Sequence, residues 1–254
     1  MGSSVRAMRT LVVIPTYCEV GTIEAVVRGI REAVSDAHLL VVDDGSTDGT
    51  IEVVQRLVNE VVELSLVQRN SKTGLGDAYL HVFREHLNDY ELFVEIDADL
   101  SHDPSALPEL LSAARAGADV VIGSRYVPGG RIEGWQRSRV RLSRWGNRYA
   151  SLVLGLAVND ATSGLRVYRT SILQRVGLEG VRSSGYGFQV EMTYRAVKHH
   201  ARVVEIPIVF RERTAGTSKM NRSIVREAFA FVTAWGLRDL ILRRRVRRMR
   251  RDTA

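Results

Sequence analysis

Asp97 and Asp99 are the residues of this chain whose type and spacing most suit chemistry. They close the run Leu92-Phe-Val-Glu-Ile-Asp97-Ala98-Asp99, where apolar residues lead into two carboxylates one residue apart. In an extended backbone side chains alternate, so both carboxylates are expected on one side of a strand end. Two such anions repel unless a cation lies between them. A hard ion, Mg²⁺ or Mn²⁺, suits an all-oxygen set completed by substrate phosphates. The alternative is a chance pair of solvated aspartates, and the neighbouring motifs weigh against it.

The elements that must position this pair follow from hydrophobic patterning. Leu11–Ile14, Leu39–Val42, Val61–Gln68, Leu92–Ile96 and Asp119–Ile122 read as strands. Helical spacing covers Thr22–Val34, a helix starts near Thr50, another runs from Asp77 to about His86, and one starts at Pro104. Asp43–Asp48 is a loop whose last residues suit a helix cap. Short continuous apolar strands alternating with helices predict an α/β fold, a parallel sheet covered on both faces. Ligands of such sheets bind at the carboxyl ends of the strands. The clusters Pro15–Glu19, Asp43–Asp44, Asp97–Asp99 and Gly123–Arg125 all fall at such ends.

Composition bounds the rest. The chain has 254 residues, 45% of them hydrophobic, enough for one large domain with a packed core. Its one cysteine, Cys18, excludes an internal disulfide and reads as a small buried filler. Met1-Gly-Ser-Ser reads as a cloning scar, Met8 as a candidate native start, and no signal peptide is apparent. The net charge of +7 concentrates in arginines at 137–148 and 238–251. A phosphate loop of the G-x-x-x-x-G-K-[ST] type is missing, and so is a G-x-G-x-x-G turn after the first strand. Instead, Tyr17 could stack on a base and Asp44 could accept hydrogen bonds from a base or ribose. Base, ribose and metal-bound diphosphate along neighbouring strand ends describe a nucleoside-diphosphate ligand.

Val13-Ile-Pro-Thr-Tyr-Cys-Glu19, Val41-Val-Asp-Asp-Gly-Ser-Thr-Asp-Gly49, Asp97-Ala-Asp99 and Gly123-Ser-Arg-Tyr126 resemble the family 2 inverting glycosyltransferases of GT-A fold. More narrowly, Asp97-Ala-Asp-Leu-Ser-His102, Asp160-Ala-Thr-Ser-Gly-Leu-Arg-Val-Tyr-Arg169, Gly185-Tyr-Gly-Phe-Gln-Val-Glu-Met192 and Arg213-Thr-Ala-Gly-Thr-Ser-Lys219 resemble the dolichyl- or polyprenyl-phosphate mannosyltransferases. The resemblance runs in register from about Leu11 to Met220. It implies a GT-A-like domain with a mostly parallel sheet, and transfer of mannose from GDP-mannose to a polyprenyl phosphate. By match to the family's donor motif, Pro15, Tyr17, Glu19, Val42, Asp44, Asp97, Ala98, Asp99, Arg125, Arg213 and Lys219 would line the GDP-mannose and metal site. It also places acceptor-phosphate contacts on Arg139 and Ser143. From the residues alone, Asp44 suits uracil as well as guanine, so a donor such as UDP-glucose stays open.

The chemistry follows from charge. Displacing a nucleoside diphosphate requires stabilising the charge that develops on it. A metal at Asp97 and Asp99 would supply part, and cations at both ends of the pliant Arg213–Lys219 segment would supply more. Against this stands a plain solvated basic loop. A phosphate monoester, with its second pKa near ~6, is already largely dianionic at neutral pH. No catalytic base is therefore nominated, and Arg125 and the 137–148 segment are the acceptor cations.

That segment, if helical, carries an apolar stripe (Leu142, Trp145, Tyr149, Leu152), a basic one (Arg137, Arg141, Arg144, Arg148) and a third row (Arg139, Ser143, Asn147). The basic stripe is either a membrane contact or a solvated face. Arg141-Leu-Ser-Arg-Trp145 misses the Q-x-x-R-W motif of processive synthases at its first position. The apolar run Ile224–Leu237 is shorter than the ~20 residues a spanning helix needs, and dense arginine follows it. Domain boundaries are therefore expected at 8–222, catalytic, and 223–254, an amphipathic arginine-rich segment. The segment reads as lying on an anionic membrane surface at the cytoplasmic face, against docking on the catalytic domain or contact with a membrane-protein partner. Nucleic acid is not an expected partner, since no groove-reading or single-strand module is recognisable. A catalytically silent nucleotide-sugar-binding subunit is disfavoured by the intact Asp97 and Asp99. His199 and His200 point in different directions and are not expected to hold a metal. Gln189 and Glu191 suit either a site role or a helix start, and Gly74 and Gly76, after Lys72, read as close packing.

Overall fold

The computed structural model describes residues 8–69, 74–183, 186–213 and 229–241. Lys72, Lys219 and the arginines at 243–251, all singled out above, lie outside the described residues. The strands are β1 (Thr10–Thr16), β2 (His38–Asp43), β3 (Leu64–Gln68), β4 (Leu92–Glu95), β5 (Val120–Ser124), β6 (Arg131–Glu133), β7 (Arg166–Arg169), β8 (Val203–Pro207) and β9 (Val209–Arg211). The helices are α1 (Ile23–Ala33), α2 (Thr50–Glu60), α3 (Leu75–His86), α4 (Leu107–Arg115), α5 (Arg137–Leu154), α6 (Thr170–Val176) and α7 (Tyr186–Lys198). A further helix, α8, is described over 229–241.

Seven strands form one sheet in the order β3-β2-β1-β4-β7-β5-β8. All neighbours are parallel except β7, which runs antiparallel to both β4 and β5. The sheet is thus mostly parallel, with one reversed strand, the fifth of seven, that the βα alternation does not predict. Alternate residues feed two cores. Val12, Ile14, Leu39 and Val41 pack with α1, α2 and α4, whereas Leu11, Val13, Leu40 and Val42 pack with α3, α5, α6 and α7. Burial on both faces is what writes continuous apolar runs rather than alternating ones.

Two boundaries correct the sequence reading. The third strand starts at Leu64 rather than Val61, because α2 runs to Glu60 and a turn intervenes. The fourth strand ends at Glu95, two residues before Asp97. Asp97 and Asp99 therefore sit in a turn, and strand alternation does not explain their common location.

Three glycines show close packing. A Cβ at Gly76 would stand 3.0 Å from the Phe188 ring, as expected of a packing glycine. One at Gly164 would stand 2.9 Å from Asp97 Oδ2, and one at Gly236 only 2.4 Å from Val153 Cγ1. The last contact seats α8 against α5. Phe229 meets the rings of Trp145 and Tyr149 at 5.2 and 5.0 Å, and Trp235 stacks on Tyr194 at 5.6 Å. Asp239 accepts from Tyr194 Oη at 2.9 Å and pairs with Lys198. The part of the tail that is described is docked on α5 and α7. Among the described residues no helix is long and apolar enough to cross a membrane.

Candidate active site

The first two strand-end loops are stitched together by hydrogen bonds. Cys18 N donates to Ser46 Oγ at 2.8 Å, Glu19 N to Thr50 Oγ1 at 3.0 Å, and Val20 N to Asp48 Oδ2 at 3.2 Å. Asp48 Oδ1 also accepts from Thr50 N at 3.1 Å, holding the start of α2. Thr22 Oγ1 donates to the Ala98 carbonyl at 2.7 Å, joining the first loop to the Asp97–Asp99 turn. Pro15, Tyr17, Glu19, Asp44, Asp97, Ala98 and Asp99 are thereby held along one edge of the sheet. Cys18 is half-buried in the left-handed region, at φ 56°, rather than a buried filler. Val42 belongs to the core with no side-chain exposure, so only its backbone can face a ligand. Asp44 Oδ1 accepts from Arg69 Nη1 at 3.0 Å, and the Arg69 N–H donates to the Asp43 carbonyl. Arg69 lies outside every motif that marks the site in the sequence.

The carboxylate turn has a definite electrostatic setting. Asp99 Oδ1 accepts the Ser101 N–H at 2.9 Å, and Oδ2 pairs with Arg213 Nε. Asp97 Oδ2 lies 3.6 Å from Nε2 of the buried His102. Burial pushes the Asp97 carboxyl up, but His102, Arg213 and Arg125 outweigh it and hold the group below the usual carboxylate range. Beneath the turn, burial pushes Glu95 up to about 8 against the opposing pull of Arg166 and Gln189. At neutral pH Glu95 is therefore a neutral acid and adds no third negative charge. Gln189 Nε2 donates to it at 2.8 Å, which gives Gln189 a supporting place below the site. Glu191 instead accepts from the Arg182 and Ser183 N–H groups and pairs with Arg195, a structural task.

Arg213 reaches the turn because β9 precedes it. Arg211 N donates to the Ser101 carbonyl at 3.0 Å, and Phe210 bridges to His102, their rings 5.1 Å apart. Arg125 is brought to the same region but is committed. Its Nε and Nη2 donate to both oxygens of buried Asp160 at 2.7 Å, and Nη2 also donates to Thr162 Oγ1. Tyr126, Trp135 and Phe210 surround the guanidinium at 5.3–5.8 Å. Asp160 neutralises much of the charge that made Arg125 attractive as an acceptor cation. Arg139 pairs with Glu212 at 2.9 Å and lies 3.8 Å over Trp135, and Ser143 Oγ accepts from Tyr126 Oη at 2.6 Å. Both are on α5, on the side turned toward Arg125.

The donor set fits a divalent cation of the phosphate-sharing kind. Among the described residues no trio of His, Cys, Asp and Glu could cage an ion, but two hard carboxylates stand together. Asp97 contacts its neighbour His102 at longer than hydrogen-bond distance, and a cation held by one or two carboxylates needs substrate oxygens to complete its shell.

A sheet of this order with acidic turns at its carboxyl edge is the GT-A glycosyltransferase fold. Glucosyl-3-phosphoglycerate synthase from Mycobacterium tuberculosis, solved with Mn²⁺, UDP and glucosyl-3-phosphoglycerate, superposes with a TM-score of 0.69 at 20% identity, covering 90% of this chain and 80% of that one. The chain is 45% identical over 239 residues to polyprenol monophosphomannose synthase of Mycolicibacterium smegmatis, spanning 93% of this chain and 90% of that protein. It is 46% identical over 231 residues to undecaprenyl-phosphate mannosyltransferase of Micrococcus luteus, spanning 91% and 95%. With residues 11–177 matching glycosyl transferase family 2, the chain belongs to that family, among its polyprenyl-phosphate mannosyltransferases. It is a glycosyltransferase.

Proposed function

We propose that the enzyme transfers mannose from GDP-mannose to the phosphate of a polyprenyl monophosphate, with inversion at the anomeric carbon. The observation that supports mannosyl transfer to a polyprenyl phosphate is the near-full-length similarity, at 45–46% identity, to two relatives named for that product and that transfer. GDP as the nucleotide rests on the resemblance of the donor motif. Tyr17 and Asp44, with Arg69 bracing Asp44, take the base and ribose. Pro15, Glu19, the Val42 backbone and Ala98 line the donor beside them. Asp97 and Asp99 would hold Mg²⁺ or Mn²⁺, which when bound offsets negative charge on the departing diphosphate. Arg213 and Lys219 add positive charge to the same leaving group.

Arg139 and Ser143 face the acceptor phosphate, and Arg125, locked by Asp160, adds its charge from behind. The lipid phosphate is already an anion above its pKa near ~6, so it attacks the anomeric carbon directly and needs no protein base. Asp97 and Asp99 would be engaged by the cation, and Glu95, fully buried and neutral, is not available as a base. The reaction is placed at the cytoplasmic face of a membrane, with the protein peripheral, because the acceptor is a lipid and the arginine-rich end suits an anionic leaflet. The test is to incubate the protein with radiolabelled GDP-mannose or UDP-glucose, a short polyprenyl phosphate and Mg²⁺ or Mn²⁺. Mannose label in the lipid phase is the expected outcome. Glucose label alone would reassign the donor, and no label from either would favour a silent binding subunit.

A further inference from the structure

On α5, the side opposite Ser143 is exposed and mixed in character. At about 100° per residue, Arg141, Trp145, Arg148 and Leu152 fall diametrically across the helix from Ser143, with Arg137 and Leu142 at the margins. Leu142, Trp145 and Leu152 are 51%, 57% and 73% exposed. The expected apolar and basic stripes lie side by side and both turn outward, because the inward face is taken by Asn147, Ala150 and Leu154. An ordinary solvated helix face carries arginine without three large apolar side chains between. Nor does α8 cover them: it lies along Tyr149 and Val153, touches one side of Trp145, and itself exposes Leu237, Leu240 and Ile241.

We infer that this outward face of α5 is the surface by which the protein seats on an anionic lipid bilayer, putting the opposite face of the same helix at the acceptor phosphate. Apolar side chains among arginines are the composition of helices that lie in the headgroup region. The apolar groups enter the acyl boundary while arginine stems reach up to lipid phosphates. Each arginine near an anionic surface contributes about 1 kcal/mol. The position on α5 rests on the proposed acceptor. A polyprenyl phosphate must keep its hydrocarbon in the bilayer while its head reaches Arg139 and Ser143, so the seat has to adjoin them. The helix is one diameter thick, about 10–12 Å with its side chains.

The test uses the full chain and vesicles without polyprenyl phosphate or nucleotide sugar, so its result is independent of the proposed chemistry. The protein should float with vesicles of equal parts phosphatidylcholine and phosphatidylglycerol, and much less with phosphatidylcholine alone. Leu142→Gln with Leu152→Gln, and separately Arg141→Gln with Arg148→Gln, should each lower the partition coefficient about tenfold or more. Thermal stability should not change in either pair, and mannosyl transfer to a short acceptor in detergent should not change in the leucine pair. Brominated lipid should quench tryptophan emission in the parent protein, and Trp145→Phe should remove most of that quenching. Unchanged partition of the leucine pair overturns the inference, as does undiminished quenching without Trp145. Failure of the parent chain to bind any vesicle also overturns it, leaving this face to a membrane-protein partner.

Discussion

Arg213 is ion-paired with Asp99, its Nε against Oδ2, while the other Asp99 oxygen holds the Ser101 N–H at 2.9 Å. A residue expected to serve the diphosphate thus lies on a carboxylate expected to serve the metal. In this arrangement Arg213 would compete with a divalent ion for one Asp99 oxygen, and if Asp99 held the ion the Arg213 guanidinium would be left to the phosphates. Arg213→Gln should therefore bind Mn²⁺ alone several-fold more tightly, on the order of 1 kcal/mol, as loss of a partly exposed competing charge implies. Turnover should nonetheless fall by about two orders of magnitude. Mn²⁺ titration by electron paramagnetic resonance without donor, beside steady-state rates, checks both. Weaker Mn²⁺ binding in the variant would sink the competition.

Asp97→Asn and Asp99→Asn should each lower turnover by at least about a hundredfold, because each would remove a ligand of the proposed cation facing the leaving group. Excess EDTA should abolish transfer and Mn²⁺ should restore it. Near-normal rates in both variants, or activity that survives chelation, contradict the metal assignment.

Asp160 is a structural anchor with a readable pH signature. Burial alone would raise its carboxyl, but the Arg125 charge and hydrogen bonds outweigh burial and hold it below the unfolded value of 3.8. A carboxyl depressed in the fold contributes stability above its unfolded value and loses that contribution as pH falls through the folded one. The contribution is intact at neutral pH and lost only in the acid range below about 4. Asp160→Asn leaves a buried guanidinium without its counter-charge, at a cost of about 3–5 kcal/mol. Urea melts should show that loss at neutral pH and a flatter dependence on acid than in the parent. Identical acid limbs in the two proteins would refute the pairing as the cause.

Gly164 is needed for the space beside Asp97 rather than for its backbone freedom. With a Cβ 2.9 Å from Asp97 Oδ2, Gly164→Ala must move either the loop or the carboxylate. A shift of about 1 Å at such a centre costs about a hundredfold in rate. Metal affinity and kcat measured together should both fall, while the melting temperature changes little. Unaltered metal affinity would show that the loop, and not Asp97, yields.

Gly236→Val places a side chain where the α8–α5 contact leaves no room, since even a Cβ would stand 2.4 Å from Val153. Stability should drop by about 1–3 kcal/mol through overpacking. Donor affinity should persist, because no proposed donor residue lies on either helix. Removal of residues 221–254 should go further and lower the melting temperature more, by baring Tyr149, Val153 and Tyr194. A truncated protein as stable as the parent would mean that the α8 contact contributes nothing.

The strands, the polar loops at their carboxyl ends and the carboxylate pair were legible because each is written in residues close in the chain. A strand buried on both faces is a continuous apolar run, and the motif spacings are a few residues long. What the sequence could not disclose depends on which distant segments meet. β7 enters the sheet reversed, and Asp160 claims Arg125 from 35 positions away. β9 carries Arg213 to Asp99, and Gly164 closes on Asp97. On α5 the periodicity was readable but its orientation was not, since Leu142, Trp145 and Leu152 would serve equally well inward. Local patterns follow from side-chain period and burial. Pairings across the fold follow from the path of the chain, where the choice among many arginines and carboxylates is made by packing.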